Sequence, residues 1–316
     1  MPIFDLAPGR NTQRGFWGSD FQLVDGYVHV KSTGVRFKND WQLWADIWRW
    51  FTYYAFVRLH WFWMRLTKPR GPRIWFAPYR PRPWYIIWAA MVWGGFEFAS
   101  SPERADAAFY FEDQTVATPP PPRHAKAFNF GIGDVSKSTV ARVMEEAFGY
   151  PLAVDPTTFV GEAVEKGEGN GLHDGRLVIC PLQPVPGKAY QRVIKTEGAD
   201  GWASDLRTVC VGGRPVVVFI KQKPASARFS IQNTSVVVKT PEEVFSPAEF
   251  EHLSRFCAAM KLDWGGIDVL RESASGRLYV VDVNKTDTGP AVVLNWKDRA
   301  RATTLLSTAL ARIVRS

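Results

Sequence analysis

Two apolar runs near the carboxyl end carry the clearest pattern in this chain. Trp264-Gly265-Gly266-Ile267-Asp268-Val269-Leu270 and Leu278-Tyr279-Val280-Val281-Asp282-Val283-Asn284 read as short strands joined by a turn. Upstream, Leu177 to Ile179, Tyr190 to Ile194, Leu206 to Val211, Pro215 to Ile220 and Ser235 to Val238 read as further strands. Before Gly161 strands and helices alternate. Ala107 to Phe111, Ala127 to Phe130 and Pro151 to Val154 read as strands, and Ser136 to Phe148 as a helix. That alternation predicts an α/β unit. Ser246-Pro247-Ala248-Glu249 combines a capping serine, a first-turn proline and the glutamate of a capping box, so a helix is expected from there to about Lys261. A last helix is expected from about Trp296.

The front of the chain has a different texture. Phe21 to Val30, broken by Asp25-Gly26, predicts a hairpin. Trp41, Trp44, Trp48, Phe51, Ala55 and Leu59 recur at helical spacing, predicting a helix from Asp40 to Leu66 with Asn39 or Asp40 as its cap. Its other face (Trp50, Tyr54, Val57, Trp61) is also apolar, and Arg49, Arg58 and Arg65 interrupt it. Those charges argue against a transmembrane span. Two readings stay open for this helix: a membrane or partner interface, which Trp and Arg together suit, and burial against the body with snorkelling arginines. Lys68 to Pro83 reads as a Pro/Arg-rich connector, Trp84 to Phe98 as a buried strand and turn, and Pro119 to Pro122 as a rigid linker.

Charge sharpens this division. The formal net charge of +8 is concentrated at the front, where residues 1–100 hold 13 Lys/Arg against 6 Asp/Glu, with no acid between Asp46 and Glu97. Eleven of the 14 tryptophans lie at or before Trp93. The expected organisation is a basic Trp-rich extension over 1–73, a small α/β region over 74–160 and a strand-rich region over 161–316. The isolated, odd-numbered Cys180, Cys210 and Cys257 argue against a disulfide framework or zinc site. The amino terminus lacks a basic segment followed by an apolar one, so a cytoplasmic location is expected, peripheral at a membrane if the helix is interfacial.

The chemistry points to the two carboxyl-end strands. Asp282 and Asn284 are two apart and share a face, and Asp268 on a paired strand can join them. Three oxygen donors converging in an apolar sheet call for a cation to offset their burial. Oxygen-only ligation without His or Cys suits magnesium.

With these motifs in order, residues 126–295 resemble the ATP-grasp superfamily of ATP-dependent ligases. The most specific part is Gly266-Ile267-Asp268-Val269 followed by Tyr279-Val280-Val281-Asp282-Val283-Asn284. The resemblance implies an ATP-grasp fold behind a Rossmann-like preceding region, with two magnesium ions held by Asp268, Asp282 and Asn284. Asp282 stands where glutamate is common. It further implies that Lys137, in Ser136-Lys137-Ser138, and Lys166, before Gly167-Glu168-Gly169-Asn170-Gly171, bind ATP phosphates. Gln191-Arg192-Val193-Ile194 resembles the hinge strand whose backbone contacts adenine. Arg207, in Asp205-Leu206-Arg207, and Arg228 would stabilise the transferring phosphate and the acyl phosphate. Lys221 and Asn233 lie where further phosphate or substrate contacts occur in the family. The stretch from Lys166 to Gln191 is short for the family and holds Pro181, Pro184 and Pro186, so a reduced phosphate-covering hairpin is expected. His173 reads as a turn residue outside the catalytic set.

The implied activity activates a small-molecule or peptide carboxylate as an acyl phosphate and joins it to an amine. Two alternatives share these residues: a kinase that phosphorylates a small molecule, and a membrane- or nucleic-acid-associated binding protein with a degenerate nucleotide domain. No recognised nucleic-acid motif accompanies the basic front, so nucleic acid is not an expected partner.

Overall fold

The computed structural model describes residues 17–31, 36–172, 174–198, 201–224 and 235–316. It divides into two units, residues 1–114, 120–128 and 286–316 in one, 115–119 and 129–285 in the other. This differs from the three consecutive segments expected, because the chain returns at its end to the unit in which it began.

In the first unit, β1 (Phe21–Val24), β2 (Tyr27–Val30) and β3 (Arg36–Lys38) form an antiparallel sheet. Asp25 and Gly26 take positive φ in the β1–β2 turn, as the sequence predicts. Helix α1 (Trp41–Thr67) follows. Its cap is Asp40, whose carboxylate accepts from the Leu43 amide at 3.1 Å. Only Tyr53 and Val57 of α1 are buried, against Trp88, Ala89 and Val92.

The connector and the strand expected next are both corrected. Arg73–Pro78 is β4, at the centre of a parallel sheet that also holds β5 (Glu97–Phe98), β6 (Ala107–Phe111) and β7 (Ala127–Phe128), in the order β5-β4-β6-β7. Flanking prolines and arginines masked its apolar centre. Ile86–Trp93 is a helix, α2, buried from Ile86 to Val92. A helix apolar on every side has no amphipathic period to betray it.

In the second unit, α3 (Lys137–Phe148) runs from its Ser136 cap to Gly149 at φ 81°. Strands β8 (Gly161–Gly167), β9 (Arg176–Cys180) and β10 (Lys188–Arg192) form an antiparallel sheet in the order β10-β8-β9. β8 and β9 pair antiparallel, from Gly161 opposite Cys180 to Glu165 opposite Arg176. Pro151 to Val154 makes a single bridge, Ala153 to Gln191, rather than a strand. The larger sheet is antiparallel: β11 (Trp202–Val211), β12 (Arg214–Pro224), β13 (Ser235–Lys239), β14 (Trp264–Arg271) and β15 (Leu278–Asn284), ordered β13-β12-β11-β14-β15. Helix α4 (Pro247–Met260) begins with the predicted capping box, and α5 (Trp296–Arg315) belongs to the first unit.

Strand alternation sorts the larger sheet into two faces. Leu206, Cys210, Val218, Ile267, Val269 and Val283 pack in one core with Val140 and Met144 of α3 and Leu253 and Phe256 of α4. Intervening residues, Arg207 and Asp268 among them, point to the opposite face. Cys180, Cys210 and Cys257 are all buried, and none is in a disulfide. No helix among the described residues is long and apolar enough to cross a membrane.

Candidate functional site

The polar face of the larger sheet is built by register. Across β11 and β14, Arg207 pairs with Asp268, and across β14 and β15, Asp268 pairs with Asp282 and Gly266 with Asn284. Arg207, Asp268 and Asp282 thus form a row over three adjacent strands, with Asn284 one pleat along. A bulge after Asp268 takes up the extra residue of β15. Gly265 keeps β14 close to its neighbour, since a Cβ there would lie 2.7 Å from the Asn284 carbonyl oxygen.

Every charge in the row has an opposite. Arg207 Nη1 lies 2.9 Å from Asp268 Oδ2. Lys137, the first residue of α3, puts Nζ 2.6 Å from Asp282 Oδ1. Burial opposes ionisation of Asp268, but Arg207, Lys221 and Lys137 outweigh it and hold its carboxyl down to about 2. Asp205, two residues before Arg207, is pushed up by burial against the pull of Lys223, whose Nζ lies 3.3 Å away. The carboxylates of Asp268 and Asp282, with the amide oxygen of Asn284, are a hard donor set suited to magnesium. No group of three His, Cys, Asp or Glu able to hold a metal ion occurs among the described residues; the third donor here is an amide.

The smaller sheet supplies Lys166. It sits diagonally from Gln191 on β8 and β10, and its Nζ donates to Gln191 Oε1 at 2.9 Å. Burial lowers the Lys166 pKa, Asp282 opposes that, and Lys137 adds to it. The amide Nε2 of Gln191 is buried without a hydrogen-bond partner. Of the other residues expected to form a hinge, Arg192 is exposed, Val193 is half-buried, and the Ile194 side chain lies in the core. A nucleobase would therefore meet backbone rather than side chain at Ile194.

The glycine-rich turn is already engaged. Gly167 N donates to Asp174 Oδ1 at 2.9 Å, and Asn170 N donates to Thr115 Oγ1 at 2.8 Å. Glu168 accepts from Ser138 N at 3.0 Å and from the Ser138 hydroxyl. A loop carboxylate thus occupies the amide end of α3, a position suited to an anion. Sequence reasoning missed Glu168 and Lys223. Lys221 and Lys223 alternate on β12, with Lys221 opposite Asp205, and that Lys-x-Lys alternation in an apolar strand was the available signal. Arg228, Asn233 and His173 lie outside the described residues.

No family model matches the sequence, and no curated protein matches it. The fold is similar to those of ATP-grasp ligases. The ligase PsnB, solved with a minimal precursor, is 16% identical at a TM-score of 0.39, over 60% of this chain and 64% of PsnB. The matched region thus spans less than two thirds of that ligase. A D-alanine–D-alanine ligase from Bacillus anthracis, solved with ATP, is 12% identical at a TM-score of 0.45, over 78% of this chain and 98% of its own. The VanG D-Ala:D-Ser ligase from Enterococcus faecalis is 10% identical at a TM-score of 0.45, over 67% of this chain and 73% of its own.

Proposed function

We propose that this protein is an ATP- and magnesium-dependent ligase that activates a carboxylate as an acyl phosphate and joins it to an amine. The observation that carries the reading is the row of Asp282, Asp268 and Arg207 on one polar sheet face, with Lys137 bonded to its acidic end and Lys166 within its field. Bound magnesium would screen the phosphate charge, with Asp268, Asp282 and Asn284 as its protein ligands. Lys137 and Lys166 supply positive charge for ATP phosphates, and Gln191 to Ile194 would border the base. Arg207 is fixed in place by Asp268, so its guanidinium is preorganised for charge on a transferring phosphoryl group. Arg228 is assigned the same task on the acyl phosphate from its sequence position alone. In the balanced reaction the carboxylate oxygen takes the terminal phosphoryl group and ADP leaves. The amine then attacks the acyl carbon, loses a proton and displaces phosphate.

The test is ATP binding in the presence of magnesium, followed by ADP release across a panel of carboxylates and amines. Asp282→Ala combined with Asn284→Ala is expected to abolish binding; retained binding in a folded double variant would sink the reading. Hydroxylamine separates ligase from kinase, because it traps an acyl phosphate as a hydroxamate and leaves a phosphate ester of an alcohol untouched.

A further inference from the structure

Helix α1 carries more apolar surface into solvent than into the protein. Trp41, Trp44, Trp48, Leu59, Phe62 and Leu66 are 83%, 56%, 67%, 68%, 57% and 71% exposed. At 3.6 residues per turn these six fall within an arc of about 60° and run for about 38 Å along the helix. Tyr53 and Val57, the residues that anchor α1, lie on the far side. Exposed apolar residues gathered along one face mark an interaction surface, whereas single scattered ones are ordinary.

Charge identifies what covers it. Eight Lys/Arg and no acid lie between Asp46 and Glu97. Arg58 and Arg65 flank one edge of the stripe and also stack on Trp61, at 4.7 and 5.0 Å from its ring. Arg49 flanks the other edge. We propose that α1 lies flat on an anionic lipid surface, with the stripe at the headgroup–acyl boundary and the arginines among the phosphates. Trp, Phe and Leu on one face with arginine at its margins is the composition of an interfacial helix, and each basic residue near such a surface adds to the attraction. A second copy of the chain fits less well. Packing stripe against stripe would bring two sets of arginines together; Asp46 and Glu97 already pair with Arg49 and Arg65 of their own copy at 3.1 Å, and α1 holds no further acid to answer a second set. The same arginines keep the helix on the surface rather than across it, in keeping with the absence of any spanning helix among the described residues.

The experiment is co-sedimentation of the full chain with phosphatidylcholine vesicles containing phosphatidylglycerol, against phosphatidylcholine alone, at low and high salt. The expected result is binding to the anionic vesicles only, weakened by salt, with a blue shift of tryptophan emission. The triple variant Trp48→Ser/Leu59→Ser/Phe62→Ser should bind at least about tenfold more weakly. The charge variant Arg49→Glu/Arg58→Glu, which leaves the stripe intact, should lose at least about fivefold. Equal binding to neutral vesicles, no binding, or unchanged binding by both variants overturns the proposal. A wild-type dimer that the serine variant abolishes identifies a second copy as the occupant instead. A large fall in the melting temperature of the serine variant shows that the stripe packs within its own chain. Either of these last two results also overturns the proposal. ATP binding by these variants is read separately, so failure here leaves the ligase reading standing.

Discussion

Arg207 and Asp268 face one another across β11 and β14 and are joined at 2.9 Å, on the face of the sheet turned away from its core. The pairing is a consequence of register. A one-residue slip of β14 would turn Asp268 onto the core face, away from Arg207, and carry Ile267 and Val269 out of the core. The arginine is thus oriented before any ligand arrives, and the aspartate is ionised at any physiological pH.

The first prediction concerns Arg207. Arg207→Met should lower ADP release by about 10²–10³, the loss expected when a preorganised charge on a transferring group is removed. Arg207→Lys keeps the charge but not the planar fork, and should recover only part of the rate. Loss of melting temperature should be small, since Asp268 keeps 28% of its side-chain surface and still has Lys221 and Lys137 in its field. Steady-state turnover beside a thermal melt checks this. Undiminished turnover in Arg207→Met would reduce the arginine to a structural partner.

Lys137 and Asp282 make the second case. Their 2.6 Å contact means that a cation and Lys137 compete for one carboxylate. Lys137→Met should therefore strengthen magnesium binding to the nucleotide-free protein by about tenfold and weaken ATP binding by a similar factor. Opposite signs for the two ligands are the signature. A lysine serving only to hold α3 against β15 would move the melting temperature and neither affinity. Calorimetric titration of each ligand separates these outcomes.

How far the site could be read from the chain depends on which kind of information each residue needs. Asp268 and Asp282 stand out because each interrupts a run of apolar strand residues, and Asn284 because it lies two residues from Asp282 on the same face. Lys137 is picked out by resemblance to the family's first nucleotide lysine; the capping serine before it marks only the start of a helix. The row itself is not, because the alignment of Arg207 with Asp268 is a property of strand register. Helix α2 escaped for a related reason: with Ile86 to Val92 all buried, it shows no polar face. Glu168 was invisible because its partner, Ser138, is 30 residues away.

A third prediction follows from Glu249, which closes the capping box of α4 and bonds Arg271 of β14. Burial raises its pKa, but Arg271 and the Ser246 amide outweigh that and leave it below its ordinary value of 4.5. Since the folded-state value is the lower, the unfolded chain gains the proton first as pH falls. The contribution to stability is complete above the ordinary glutamate range and is lost as pH drops through the folded value. Arg271→Gln should cost about 1 kcal/mol at neutral pH, discounted for the partial exposure of the pair. It should also flatten the acid limb of the stability–pH curve. Denaturant melts at several pH values below neutrality test both, and an acid limb unchanged by the substitution would remove Glu249 from the account.

The last prediction concerns how β14 is held at its start. Asn129 is buried and takes φ 62°, a left-handed conformation that asparagine tolerates better than most residues. Its side-chain nitrogen donates to the Trp264 carbonyl at 2.7 Å, and its side-chain oxygen accepts from the Asp263 and Trp264 amides at 2.8 and 2.9 Å. Its own amide donates to Asp263 Oδ2 at 2.6 Å. One side chain thus satisfies both backbone groups of Trp264, the first residue of the strand that carries Asp268, and the amide of Asp263 just before it. Asn129→Gly keeps the backbone conformation and loses the three bonds, and should cost about 2–3 kcal/mol. Asn129→Ala adds the left-handed penalty of about 1–2 kcal/mol and should be the less stable of the two. The ordering is the test, because a purely polar role predicts equal losses and a purely conformational one predicts a harmless glycine. Both variants should weaken magnesium–ATP binding at a temperature where they remain folded, since the residue that fixes the start of β14 also fixes the register of Asp268 against Arg207.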